Sequence, residues 1–148
     1  MAHISIPKRV FLDTNLLIDL ICSREPFVEK AQLIFALGYS GKVSLLISAL
    51  SFVNTIYVAR KYDFSEIREK LSRIAAFVEV VDLSAKGIKD ALSSGWKDYE
   101  DSLQHQSTVQ SHADCIVTRN TADFASSSLP VYSPEEFLAL PDVMGYEL

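Results

Sequence analysis

Asp13 ends a short apolar run, Val10-Phe11-Leu12, and is followed at once by Thr14 and Asn15. A second apolar run, Ile116-Val117, stops in the same way at Thr118-Arg119-Asn120-Thr121-Ala122-Asp123, and Asp98-Tyr99-Glu100-Asp101 lies between the two. Apolar runs that break off into oxygen-bearing side chains read as buried parallel strands whose carboxyl ends open into a site. In open α/β sheets ligands bind at that edge. Carboxylates and amides collected there form a set of hard oxygen donors, which suits a divalent cation such as magnesium, typically held by one or two carboxylates and several waters.

Each acid also has a plainer use. Asp13 can cap the helix that follows it. Asp98 can cap the next helical segment, with Asp101 as a first-turn acid favoured by the helix dipole. Asn120 and Asp123 can close Asx turns in a loop. Glu100 is expected on another side of its helix, in solvent. What favours a site is that these residues all fall at strand ends and helix starts.

The elements that would position them alternate along the chain. A strand over about Arg9–Asp13 leads into a helix from Thr14, interrupted at Arg24-Glu25-Pro26 and resumed through Lys30–Leu37, with a stop at Gly38 or Gly41. A second strand, Val43–Ile47, runs into a helix capped by Ser48 and continuing through Lys61. Asp63 followed three residues later by Glu66 resembles a capping box, and Ile67, Leu71, Ile74 and Ala75 recur at helical spacing. A third strand spans Val78–Leu83. Ser84 and Asp98 open two more helices, Cys115–Thr118 is a fourth strand and Val131-Tyr132 a fifth, before the helix start Ser133-Pro134-Glu135-Glu136. Strands separated by helices imply an α/β fold with a parallel sheet covered on both faces.

At 148 residues and 49% hydrophobic composition, the chain fits one domain with an ample core. Its apolar stretches are too short to span a bilayer, and its start lacks a signal-peptide core, so a cytoplasmic protein with no membrane partner is expected. Cys22 and Cys115 match no metal spacing and read as buried reduced thiols. His105 and His112 have no ligand partner at helical spacing and receive no role. The net charge of −5 weighs against bulk attraction to nucleic acid, but carboxylates around a metal inflate that total. Arg68, Lys70 and Arg73 read as a solvated helix face.

The order of apolar strand, Asp13-Thr14-Asn15, Ser-led helix, Asp98-Tyr99-Glu100-Asp101-Ser102-Leu103-Gln104, Ile116-Val117-Thr118-Arg119-Asn120 with Asp123-Phe124, and Pro134-Glu135-Glu136-Phe137-Leu138 resembles the PIN domain family. That family includes the toxin ribonucleases of bacterial toxin–antitoxin pairs. The resemblance covers about Arg9 to Leu140 and implies a three-layer α/β/α domain with a central, mostly parallel five-stranded sheet. It further implies a Mg2+- or Mn2+-dependent ribonuclease acting on single-stranded RNA, an antitoxin partner and a homodimer. By family position Asp13 and Asp101 would bind metal and act in catalysis, with Asp98 one helical turn ahead and Asn120 or Asp123 completing the site.

The chain departs from the family pattern at Asn54, where a glutamate is usual; an amide there can offer a carbonyl oxygen to the metal but no charge. Arg119 is expected either to contact phosphate or to be a surface arginine, and Thr14, Asn15 and Thr118 to orient ligands or substrate. Two other readings stand beside this one. A phospho-acceptor enzyme would use a strand-end aspartate as nucleophile, but the haloacid-dehalogenase pattern wants a second aspartate where Asn15 stands, and the response-regulator pattern wants an acidic pair that is absent. A catalytically silent binding module on the same fold takes Asn54 as its best argument.

Overall fold

A computed structural model describes residues 7–144. The elements are β1 (Arg9–Leu12), α1 (Thr14–Ile21), α2 (Val28–Tyr39), β2 (Ser44–Ser48), α3 (Ala49–Val58), α4 (Phe64–Ala75), β3 (Glu79–Val81), α5 (Ala85–Leu92), α6 (Tyr99–Gln110), β4 (Cys115–Val117), β5 (Val131–Tyr132), α7 (Pro134–Leu138) and α8 (Pro141–Met144). Two 3-10 turns, Ala59–Lys61 and Thr121–Phe124, follow α3 and β4.

The sheet has strand order β3-β2-β1-β4-β5, and every neighbouring pair is parallel. From β1 the chain builds outward through β2 and β3, then returns to the other side of β1 for β4 and β5. The switch in direction therefore falls between β1 and β4, where an open α/β sheet leaves a crevice at its strand ends. Asp13 and Thr118 are the first residues past those two ends, and the Asp13 amide still donates to the Val117 carbonyl at 3.0 Å.

The central strands β1, β2 and β4 are buried on both faces, and their side chains divide by the period of two. Val10, Leu12, Leu45, Ile47, Cys115 and Val117 face one layer, with Leu16 and Leu17 of α1, Ile34 and Phe35 of α2, Leu71 of α4 and Phe137 of α7. Phe11, Leu46 and Ile116 face the other, with Val81, Phe124 and the partly buried Trp96. Each fully buried side chain of this size contributes roughly 1.5–3 kcal/mol of transfer free energy. The result is the three-layer α/β/α arrangement expected. On α6 much of what is buried is polar: Ser102, Gln104, Ser107 and Thr108 join Leu103.

Local chemistry sets the helix starts. Ser48, Asp63, Ser84, Asp98 and Ser133 each accept a backbone N–H in the first turn of the helix they precede, and Ser133 with Glu136 forms a full capping box. The two candidate stops of α2 separate in the structure. Gly41 takes a φ of 77°, the left-handed region open to glycine. Gly38 lies inside α2 at a close approach to β2, where a Cβ would collide with the Leu45 side chain. Lys70 and Arg73 pair with Glu66 and Glu69 one turn back on the solvent side of α4, as a solvated face should. Cys22 and Cys115 are free thiols, and burial pushes Cys115 up to about 12. Among the described residues no helix is long and apolar enough to cross a membrane.

Candidate active site

Asp13 sits at the centre of the crevice and is 8% exposed. It does cap α1, since Oδ1 accepts from the Thr14 amide at 2.8 Å. Its other oxygen, Oδ2, accepts from Thr118 Oγ1 at 2.8 Å and from Asn15 Nδ2 at 3.3 Å. Capping and site geometry are thus compatible: one oxygen fixes the helix start while the other is oriented from β4. Burial raises the Asp13 pKa despite hydrogen bonds from Thr118, Thr14 and Gln104, and the charge of Asp123 adds to the rise.

Below Asp13 lies a buried polar network. Thr14 Oγ1 and Ser51 Oγ are 2.7 Å apart, and Gln104 Nε2 donates to both, at 2.8 and 3.0 Å. It ties α1, α3 and α6 together where they meet the sheet. Gln104 Oε1, also buried, has no partner among the described residues.

Asp98 and Asp101 approach from the start of α6. Asp98 caps the helix, with Oδ1 accepting from the Asp101 amide at 3.0 Å. The Asp101 carboxyl is pushed up to about 7, by partial burial first, then by the charges of Asp98, Asp13, Asp123 and Glu100. Carboxylates that disturb one another in this way share a site. Asp98, Asp101 and Asp123 line a cleft of about 360 Å³ with Trp96, Lys97 and Ala122. Neither Asn120, which is exposed, nor the buried Asp13 lines that cleft, but the charge of Asp13 reaches Asp101. Of the two candidates after β4, the fold therefore brings Asp123 to the acids.

Several expectations need correction. Arg119 is not a free surface arginine: its Nε and Nη2 fork onto the buried Asp19 at 2.7 and 3.2 Å, and its guanidinium lies 3.9 Å over the Phe27 ring. Thr14 and Thr118 are buried and face protein partners, so they orient Asp13 and its support rather than meet substrate. Asn15 does the same from a half-buried position. Glu100 is exposed, as expected, but its Oε1 also accepts from Asn54 Nδ2 at 2.7 Å, a partner the sequence did not show. Partial burial and the charges of Asp98 and Asp13 raise its pKa. The departure at Asn54 was the signal that could have found it, since an amide in a carboxylate's place calls for a carboxylate nearby. His105, left without a role, stacks on Trp96 with ring centroids 4.9 Å apart.

The donors fit a hard cation, being all oxygen and mostly carboxylate. Among the described residues no group of three acidic, histidine or cysteine side chains is arranged to hold a metal ion.

The raised pKa values have a testable sign. A carboxyl near 3.8 in the unfolded chain and near 7 in the folded one makes the native state bind more protons between those values. Metal-free stability should therefore fall as pH rises from about 4 to about 7. His105, lowered by burial, works in the opposite direction, so the contribution is read as the difference between wild type and Asp101→Asn. Thermal unfolding in chelator should show a melting temperature that drops across this window in wild type and less in the variant. Equal slopes would remove Asp101 from the coupled set.

A PIN domain family model matches residues 9–122. Among solved structures, the chain is similar to VapBC2 from Rickettsia felis bound to a promoter DNA fragment, at 18% identity and TM-score 0.62 over 84% of this chain and 98% of that one. A toxin–antitoxin complex from Klebsiella pneumoniae matches at 22% identity and TM-score 0.61, covering 84% and 97%. VapC20 of Mycobacterium tuberculosis, a Sarcin-Ricin loop cleaving toxin, matches at 14% and 0.57, covering 72% and 86%. No curated protein matches the chain. Likeness at these identities establishes the fold, while the family match runs from β1 into the strand-four loop and takes in Asp13, Asp98 and Asp101, ending one residue before Asp123; this chain belongs to the PIN domain family.

Proposed function

We propose that this protein is a divalent-cation-dependent endoribonuclease that hydrolyses phosphodiester bonds of single-stranded RNA, and that it is the toxin of a toxin–antitoxin pair. The observation that carries the reading is the convergence of Asp13, Asp98, Asp101 and Asp123 at the sheet's switch point in a PIN domain. The solved relatives that are toxins, one of them cleaving the Sarcin-Ricin loop, support RNA as substrate. Those solved with antitoxins support such a partner here. Exposed Val53, Tyr57, Tyr62 and Phe64 offer apolar surface for a partner protein or a second copy of the chain to cover. A soluble cytoplasmic setting belongs to the same reading.

In this reading Asp13, Asp101 and Asp123 would hold Mg2+ or Mn2+ with Asp98 beside them, and the ion would supply an activated water and offset charge on the phosphate. Thr118 and Asn15 keep Asp13 oriented, the Thr14–Ser51–Gln104 network fixes α1 and α6 at the right separation, and the Asp19–Arg119 pair anchors the loop bearing Asp123. The acids lose their protons as the ion binds, so affinity should rise with pH through about 7.

The test is cleavage of a labelled single-stranded RNA by purified protein in chelator, then with magnesium or manganese restored. Cleavage should appear only with the ion. Activity indifferent to chelator, or none with either ion, overturns the proposal.

A further inference from the structure

The position where the family pattern has a glutamate is occupied by Asn54, yet in the folded chain a carboxylate stands beside it. Asn54 Nδ2 donates to Glu100 Oε1 at 2.7 Å, linking α3 to α6. The side of α3 that carries Asn54 is the side that meets the site, because Ser51, one turn earlier, bonds Thr14 and Gln104. Gln104 in turn lies one turn after Glu100 on α6, so the two share a helix face directed at α3. Each leaves an oxygen open. Glu100 Oε2 has no hydrogen bond among the described residues. Gln104 Oε1 is a buried acceptor without a partner among the described residues, in the residue whose Nε2 holds Thr14 beside Asp13. A polar atom left open at that depth marks the place of a bound water or a hydrated ion.

We infer that Glu100 is a ligand of the cation, supplying from α6 the charged oxygen that position 54 cannot supply from α3, and that Asn54 is the positioning residue that holds it. One carboxylate oxygen is anchored and the other free, which suits a single-oxygen ligand whose rotamer is settled before the ion arrives. The Gln104 carbonyl would accept from a water of the ion's shell. This rests on the cation reading above.

Calorimetric titration with manganese tests it, using wild type, Glu100→Gln, Asn54→Ala, the pair combined, and Glu29→Gln on the exposed start of α2 as a distant charge control. Glu100→Gln should weaken binding by about tenfold or more, Asn54→Ala by a smaller factor, and the combination no further than Glu100→Gln alone, since the two act as one unit. The exchange Asn54→Glu together with Glu100→Gln puts the carboxylate on α3 with an amide donor opposite, and should restore affinity, which a merely structural role for the pair would not do. Unfolding in chelator confirms that each variant is folded. Wild-type affinity in Glu100→Gln while Asp101→Asn binds poorly overturns the inference and leaves the cation reading standing, as does an exchange variant no tighter than Glu100→Gln. Wild type that binds no manganese overturns both.

Discussion

Asp13→Asn is expected to abolish cation-dependent RNA cleavage, by about a hundredfold or more, while the protein stays folded. The change keeps the shape of the side chain but removes its charge, and with it the proposed cation ligand. Disturbing groups that merely support a metal costs 10- to 100-fold in affinity or activity as a rule, and a ligand should cost at least the upper end. Stability moves little because two effects oppose. The carboxylate accepts from the Thr14 amide on one oxygen and from Thr118 and Asn15 on the other. An amide has one acceptor oxygen, so either the cap or the Thr118 bond is lost, at a cost of about 0.5–2 kcal/mol. Against that, a buried charge disappears whose own pKa shows that burial opposes it. Parallel measurement of cleavage, manganese affinity and melting temperature separates the outcomes. A variant that cleaves as wild type does, with contaminating nuclease excluded, removes Asp13 from the mechanism.

Much of this site was readable from sequence because its placement is local. A strand that ends at Asp13 or Thr118, and a helix that starts after Ser48 or Asp98, is decided by a few consecutive residues through burial and cap chemistry. What was not readable depends on partners far away in the chain. Glu100 is exposed, as a helix-start acid reads, but its hydrogen bond to Asn54, 46 residues earlier, is invisible in the spacing of one helix. Choosing between Asn120 and Asp123 needed the 3-10 turn Thr121–Phe124, too short to carry a periodic pattern. The same holds for α8, a single turn at Pro141–Met144 that the sequence reading left out. Gly38 and Gly41 look equally good as helix stops until the packing of α2 on Leu45 shows that one is needed for space and the other for backbone conformation.

Arg119 has a partner that the sequence did not show, and this leads to the second large effect. Its partner Asp19 is 100 residues away in sequence, and no spacing rule connects them. The Asp19 side chain is 1% exposed and takes both guanidinium contacts, with Arg24 a more distant second cation at 3.9 Å. Arg119→Met keeps apolar bulk against Phe27 but leaves Asp19 buried with only that weak neighbour. Breaking a buried pair from one side costs about 3–5 kcal/mol. The partial exposure of Arg119 and the presence of Arg24 bring the expected loss to about 2–4 kcal/mol, read as a lower urea midpoint at unchanged slope. Asp19→Asn combined with Arg119→Met should recover part of that loss, because the penalty comes from the stranded charge rather than from the missing bond. Cleavage should fall too, since the pair pins the loop that carries Asp123 to α1. The phosphate-contact reading predicts the reverse pattern: stability changed by less than about 0.5 kcal/mol, as for an ordinary surface site, with a raised KM for RNA. Denaturation and kinetics on the same variants decide between a residue that meets the substrate and one that holds the site in place.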